Sequence, residues 1–263
     1  MTVTKAQIKH LRDLHRRKER DEAGTFLVEG VRLVREALAS SSPMEGFYYT
    51  EAAATDPSVS ELVALAGKRT PHVHRLSERD MEVVSDTTTA QGVLAEFRQH
   101  HPPVDAVLRE GDGESVLVAL DGVADPGNLG SIIRSADWFG VQGVLVGHQS
   151  VDLYNPKVVR STMGSIFHLP VVPDVDLLAV LSRAREMGYT VYGADAAGEM
   201  HFDRMSFARK SVLVLGNEAW GLSDAVKELT DIRVAIRRYG AAESLNVGVA
   251  CGILLSGLHR LME

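Results

Sequence analysis

The chain has 263 residues, 45% of them apolar and 24% charged, with a formal net charge of −7 and a single cysteine. That composition can bury one large core or two ordinary ones, which excludes a disordered or fibrous chain, and the lone cysteine excludes an intrachain disulfide framework. The longest apolar runs are strand-sized and far short of a bilayer span, and the acidic balance argues against indiscriminate nucleic-acid binding by the whole surface.

In chain order, residues 5–20 read as a helix carrying Lys5, Lys9, Arg12, Arg16, Arg17, Lys18 and Arg20 against Asp13 and Glu19, with His10 and His15 interspersed. A local basic cluster on an acidic protein is either a directed anion-binding surface or a solvated helix face, and both readings stay open. Met1–Arg20 lacks the apolar core of a secretory signal, so a cytoplasmic protein is expected. Residues 29–39 follow as a helix, with Val31, Leu33, Val34, Ala37 and Leu38 at helical spacing. Strands at Phe47–Thr50 and Val73–Leu76 flank a short helix over Val59–Gly67, and together these elements describe a small α/β domain over 1–98. The pairs His72/His74 and His100/His101 have no Cys or carboxylate at a metal-ligand spacing, so no metal site is expected.

The segment RQHHPPVDAVLREGDGE, residues 98–114, combines paired prolines, glycines and mixed charge, and a linker is expected over 99–114. The second domain then covers 115–263. There, VLVALDGV, GVLVGH, YTVYGAD, SVLVLGNE and DIRVAI alternate with helices near 129–139, 157–167, 175–187, 222–229 and 244–262. Continuous Val/Leu strands alternating with helices imply a parallel sheet covered on both faces, with ligands collecting beyond the carboxyl ends of the strands. Cys251 falls in the apolar run of the last helix and is expected to be a buried small side chain.

Polar clusters follow three of these strands. In ADPGNLGSIIRSADWFG, residues 124–140, Asp125-Pro126-Gly127 is a turn, Asn128 is placed to cap a helix, and Arg134 starts from a mostly apolar helix, where a guanidinium needs a partner or a ligand. The glycines form GNLG rather than GxGxxG, and no P-loop occurs, which argues against a dinucleotide or phosphoryl-transfer site. In LVLGNEAWGLSD, residues 213–224, Gly216 at a strand end permits close approach of a ligand, and Glu218 places an acceptor beside it; the alternative is a turn with a helix cap at Ser223. In ESLNVGVACGILL, residues 243–255, Ser244 reads as the cap of the last helix, whereas Asn246 falls inside the first turn, where its propensity is poor.

The pattern NxGxxxRxA formed by Asn128, Gly130, Arg134 and Ala136, followed by LGNEAWGLS at 215–223 and ESLNVGVACGI at 243–253, resembles the three motifs of the SpoU/TrmH group of SPOUT methyltransferases. FLVEGVRLVREAL, residues 26–38, is similar to the L30e-like RNA-binding domain of the ribosomal-RNA members of that group. The resemblance implies an α/β protein whose C-terminal parallel-sheet SPOUT domain contains a deep trefoil knot, with a smaller N-terminal α/β L30e-like domain that binds the RNA substrate. It also implies a homodimer and transfer of a methyl group from S-adenosylmethionine to a ribose 2′-oxygen, most naturally in 23S ribosomal RNA. A tRNA ribose methyltransferase and a non-catalytic RNA-binding protein of the same fold are the alternatives.

By the same resemblance, Leu215, Gly216, Ile236 and Leu245 would hold the adenosine part of the cofactor. Arg134, Asn128, Glu218, Ser244 and Asn246 would form the catalytic set: Arg134 at the 2′-oxygen or adjacent phosphate, Asn128 orienting the arginine or the ribose, and Glu218 holding the arginine or receiving the proton. A guanidinium gives up its proton too reluctantly to serve as a base, so electrostatic stabilisation is the expected role of Arg134. Arg237 and Arg238 stand where the pattern usually has proline and methionine, and Gly248 where serine is usual. Those two arginines, with Arg16, Arg17 and Lys18, are the expected contacts to RNA phosphate.

Overall fold

The structure, a computed structural model, describes residues 3–111 and 113–260, the last two by their backbone alone. Two compact units are present: Met1–His100 with Tyr154–Phe167, and His101–Leu153 with His168–Glu263. No described helix is long and apolar enough to cross a membrane.

The first unit runs α1 (Lys5–Asp13), α2 (Arg17–Ala23), β1 (Thr25–Glu29), α3 (Val31–Ala39), β2 (Met44–Thr50), α4 (Pro57–Arg69), β3 (Val73–Leu76), α5 (Glu78–Val84) and β4 (Val93–Arg98). Its sheet has the order β1-β4-β2-β3, antiparallel except for β2 against β3. Leu27, Tyr48, Leu76 and Leu94 on one face pack with Leu11 and Leu14 from the N-terminal helix and Met81 and Val84 from α5. The single helix expected over 5–20 is two helices. Arg16 is extended, and the Arg20 guanidinium folds back to donate to the Leu14 carbonyl at 2.8 Å, which satisfies a carbonyl left open by the break. Arg20 is therefore buried and structural, not part of the basic surface. The helix expected over 59–67 begins earlier, because Asp56 caps it with Pro57 in the first position, and it runs through Gly67.

The second unit contributes β5 (Ser115–Asp121), α6 (Pro126–Trp138) and β6 (Gly143–Gly147), after which the chain passes through the first unit as α7 (Pro156–Ser161). Met163 and Gly164, both at positive φ, separate α7 from a 3-10 turn at Ser165–Phe167, so the helix expected over 157–167 is interrupted. Tyr154 anchors this excursion: its hydroxyl donates to the His100 carbonyl at 2.6 Å, and its ring lies 4.6 Å from that of Phe26. The chain continues as β7 (Val171–Val175), α8 (Leu177–Glu186), β8 (Thr190–Ala194), β9 (Met200–His201), β10 (Lys210–Gly216), α9 (Asp224–Leu229), β11 (Ile232–Ala235) and α10 (Val247–Arg260). The helix expected over 244–262 thus starts three residues later, and its expected end at 261–262 lies outside the described residues.

All seven strands of the second sheet are parallel, in the order β7-β6-β5-β10-β8-β11-β9. Leu117, Ala119, Val212 and Val214 belong to a core with α8 and α9, and that core also takes in Val107 and Leu108 from the stretch expected to be a linker. On the opposite face, alternation sends Val118, Leu120, Leu213 and Leu215 toward the buried Ile132, Ile133, Cys251, Leu254 and Leu258 of α6 and α10. Burial raises the Cys251 thiol to about 12, which keeps it protonated.

Candidate active site

The loops after β5, β10 and β11 all leave the carboxyl edge of the parallel sheet, where open α/β sheets place their ligands. Side chains from all three join in one hydrogen-bonded chain. Asn128 Nδ2 donates to Glu218 Oε1 at 2.7 Å, and Asn246 Nδ2 donates to Asn128 Oδ1 at 2.8 Å. Asn246 Oδ1 in turn accepts from the backbone N–H groups of Gly248 at 2.9 Å and Val249 at 3.2 Å.

This corrects two expectations. The cap of α10 is Asn246, not Ser244; Ser244 is exposed and makes no hydrogen bond among the described residues. The cap of α6 is Asp125, which accepts from the Asn128 N–H at 2.9 Å with Pro126 in the first helical position. Asn128 sits two residues deeper, and its side chain is thereby released to reach the other two loops. Where α10 leans on α6 the residues are small: a Cβ added to Gly248 would lie 3.2 Å from Asn246 Oδ1 and 3.3 Å from the Ser131 Cβ, a tight approach.

Glu218 is tied to the start of α6 rather than to an arginine. It accepts from the N–H groups of Ala124 and Asp125, each at 3.2 Å, as well as from Asn128. Partial burial works to raise its carboxyl. The bonds from Asn128, from its own N–H and from Ala124 and Asp125 outweigh that effect and hold it below the usual 4.5, which makes it a poor proton acceptor at neutral pH. A carboxyl lowered by folding stabilises the fold above its ordinary value and loses that contribution as pH falls through the lowered one. The difference in thermal midpoint between the parent and Glu218→Gln is therefore expected to be full at neutral pH and to disappear in acid below 4.5. A pH-independent difference in melting curves would contradict this.

Arg134 is exposed on α6, six residues beyond Asn128 and about 9 Å further along the helix axis, and makes no ion pair or hydrogen bond among the described residues. Neither Glu218 nor Asn128 is hydrogen-bonded to it among the described residues. Arg237, half-buried, and Arg238, exposed, follow β11 and are likewise without an ion pair among the described residues. Leu215 and Gly216 end β10 and are buried, Ile236 is half-buried just past β11, and Leu245 is 49% exposed before α10. Residues 237–245 make no backbone–backbone hydrogen bond among the described residues, so the donors and acceptors of this loop remain available to a ligand.

Sequence reasoning gives Gly216 a ligand-facing role, but the close neighbour is its own loop. A Cβ there would lie 2.2 Å from the Gly221 carbonyl carbon, because Asn217 and Gly221 exchange both backbone hydrogen bonds at 2.9 Å. Asn217 and Asp121 are the supporting residues that the expected site omits. Buried Asn217 donates through Nδ2 to the Gly122 carbonyl at 2.7 Å, and Asp121 Oδ2 accepts from the Ser223 N–H at 2.7 Å, so the two loops are clamped from both sides. The only sequence signal for them is a short polar side chain directly at a buried strand end.

In the first unit, the basic segment is largely compensated. Arg16 pairs with Asp13 at 2.9 Å and Glu19 at 3.4 Å, Arg17 with Asp21 at 3.5 Å and Lys18 with Glu22 at 3.7 Å. Among the described residues, no group of three or more His, Cys, Asp or Glu is arranged to hold a metal ion.

Residues 115–256 match the SpoU rRNA Methylase family, and residues 5–95 match the MRM3-like substrate binding domain. The chain is 34% identical to the 23S rRNA (guanosine(2553)-2'-O)-methyltransferase RlmP of Bacillus subtilis, over 96% of each chain. It is 33% identical to the 23S rRNA (uridine(2479)-2'-O)-methyltransferase of Streptomyces viridochromogenes, over 92% of this chain and 85% of that one. The crystal structure of an AdoMet-bound rRNA methyltransferase from Sinorhizobium meliloti superimposes with a TM-score of 0.86 at 31% identity, covering 99% of this chain and 97% of that one. With its three loops joined as the geometry requires and both regions matched, the chain belongs to the SpoU rRNA methylase family.

Proposed function

We propose that this protein transfers a methyl group from S-adenosylmethionine to a ribose 2′-oxygen of 23S ribosomal RNA. The observation that carries the reading is the Arg134 guanidinium, without an ion pair among the described residues, on the helix whose first turn is locked to both other loops through Asn128. The named activities of the Bacillus subtilis and Streptomyces viridochromogenes relatives support the substrate class.

The cofactor site would be formed by Leu215, Gly216, Ile236 and Leu245. The fit rests on chemistry: the apolar side chains of Ile236 and Leu245 flank the two ends of a loop that makes no backbone–backbone hydrogen bond among the described residues, a combination suited to an adenosine. When bound, S-adenosylmethionine supplies an electrophilic methyl on a cationic sulfur. A ribose hydroxyl is a weak acid, so Arg134 would stabilise charge as it develops on the 2′-oxygen. Asn128, fixed from both sides, would keep α6 and its arginine in register, and Asn246 would serve as helix cap and loop tie at once. Glu218 acts as the anchor of Asn128, and the ribose proton leaves to RNA phosphate or water. Ser244, exposed beside Leu245, would contact the ribose or the cofactor from the same loop.

Residues 1–98 are assigned to RNA substrate binding, 99–114 to a connection with the catalytic domain and 115–263 to catalysis, with cytoplasmic ribosomal RNA as target. A homodimer and a deep trefoil knot belong to the same reading. The exposed Trp138 of α6 and Val249 of α10 support the first, and the insertion of β10 between β5 and β8 with the return of α10 onto α6 supports the second.

The test is label transfer from S-adenosylmethionine to purified ribosomal RNA and to tRNA. Label in ribosomal RNA is expected; label in tRNA alone would replace this reading with the tRNA one. Each phosphate contact contributes about 0.9 to the slope of log K against log salt. Charge reversal at Arg237 and Arg238 is therefore expected to flatten that slope by nearly two, and reversal at the ion-paired Arg16 and Arg17 to flatten it less. Filter binding across a salt series checks this, and equal slopes for all variants would remove these residues from the interface.

A further inference from the structure

We propose that a polar cavity in the first unit, walled by α1 and the four-stranded sheet, receives one unpaired nucleobase that presents an exocyclic amine to the Glu96 carboxylate. The inference rests on the RNA-substrate reading above and specifies what its N-terminal unit recognises.

The cavity holds about 390 Å³ and is lined by His10, Thr25, Tyr48, His72, His74 and Glu96 among others. That volume is near the lower end for small-ligand pockets, which suits a single base. Glu96, on β4, is only 6% exposed. Both of its described donors go to one oxygen: Thr25 Oγ1 at 2.7 Å and His10 Nε2 at 2.8 Å meet Oε1, while Oε2 accepts no hydrogen bond among the described residues. A carboxylate has about four acceptor sites, so Glu96, in the cavity wall, keeps acceptor capacity on Oε2 for a donor that enters. The Tyr48 hydroxyl, which lies over Gly46, also makes no hydrogen bond among the described residues. Burial and the Glu96 charge both push its pKa up, so it remains a neutral phenol able to donate.

A stacking surface stands beside these polar groups. The rings of Tyr48 and His74 lie 5.6 Å apart at 22°, and those of His74 and His72 6.3 Å apart at 20°, forming a ladder whose outer imidazole is exposed at the rim. Unstacked RNA bases are held in this way, on aromatic or histidine faces with hydrogen bonds to their edges. The wall also excludes other ligands. The Glu96 carboxylate repels phosphate, and no described group of ligating side chains is arranged for a metal ion. Among the bases, adenine, cytosine and guanine offer an amine to a carboxylate. Uracil offers only an imide N–H flanked by two carbonyl oxygens that the carboxylate repels.

The experiment measures binding of short single-stranded oligo(A), oligo(C) and oligo(U) to the full-length protein by fluorescence anisotropy, with methyl transfer to ribosomal RNA assayed in the same preparations. The parent is expected to hold oligo(A) and oligo(C) about tenfold tighter than oligo(U). Glu96→Gln, which puts an amide donor where Oε2 stood, is expected to erase or reverse that preference. His72→Ala, at an exposed side chain, is expected to weaken all three about tenfold through lost stacking and to leave the thermal midpoint unchanged. Should Glu96→Gln not fold, the base preference of the parent and the His72→Ala effect still decide. Equal affinity for the three oligomers, or indifference to His72→Ala, overturns the pocket while methyl transfer persists; a parent that binds none of them and methylates no RNA overturns both readings.

Discussion

Replacing Arg134 with alanine is expected to lower the rate of methyl transfer by roughly two to three orders of magnitude, the usual loss when one donor aimed at a developing oxyanion is removed. Cofactor affinity and thermal midpoint are expected to stay at parental values. The side chain is exposed and has no described partner, so its removal leaves neither a cavity nor an unpaired charge. Lysine at this position is expected to restore only part of the activity, since a point charge does not reproduce the planar fork of a guanidinium. Single-turnover rates at saturating RNA separate this effect from weakened binding. A parental rate in Arg134→Ala would remove the residue from the chemistry.

The second large effect is expected from Gly216→Ala. The added methyl would lie 2.2 Å from the carbonyl carbon and 2.4 Å from the carbonyl oxygen of Gly221, backbone atoms that cannot swing aside. The loop from Asn217 to Gly221 must then move, carrying Glu218 away from Asn128 and the start of α6. Overpacking of this kind costs about 1–3 kcal/mol or more, and at roughly 2–4 °C per kcal/mol the thermal midpoint should fall by on the order of 5 °C, with activity lost through the displaced loop. Gly221→Asn is the control. Gly221 has φ +73 with no atom within 4 Å of an added Cβ, and asparagine tolerates the left-handed region better than other side chains, so this change should cost much less than Gly216→Ala. Differential scanning calorimetry of the two variants distinguishes a steric account from a general intolerance of the loop.

Five of the seven strands of the second unit were legible because most read as apolar runs between amphipathic helices; the edge strands β7 and β9, one broken by proline and aspartate and the other two residues long, were not. The first unit was less legible. Periodicity passes over β1, α5 and β4, which are short, and β4 carries the buried Glu96 in the middle of an apolar strand. The basic run from Lys5 to Arg20 has helical character throughout, and its break at the extended Arg16, bridged by the bond from Arg20 to the Leu14 carbonyl, carries no glycine or proline signal.

At the site, the motifs located the right loops, but local rules assigned the wrong caps. Serine at 244 and asparagine at 128 are both good capping residues, yet Asn246 and Asp125 do the capping, because each is placed to accept from the N–H groups two or three residues on. Which competent residue caps depends on where the preceding loop delivers the chain. The pairing of Glu218 with Asn128 rather than Arg134 spans 90 positions and follows from the adjacency of β5 and β10, which no local pattern encodes.

The central claim, methylation of a ribose oxygen, is tested most directly by alkaline hydrolysis of ribosomal RNA labelled by the purified protein from S-adenosylmethionine. Alkali cleaves RNA through attack of the 2′-hydroxyl on the neighbouring phosphate, so a methyl on that oxygen protects one linkage. The label is predicted to emerge in an alkali-resistant dinucleotide; label released as a mononucleotide, with the methyl on a base, would contradict the account.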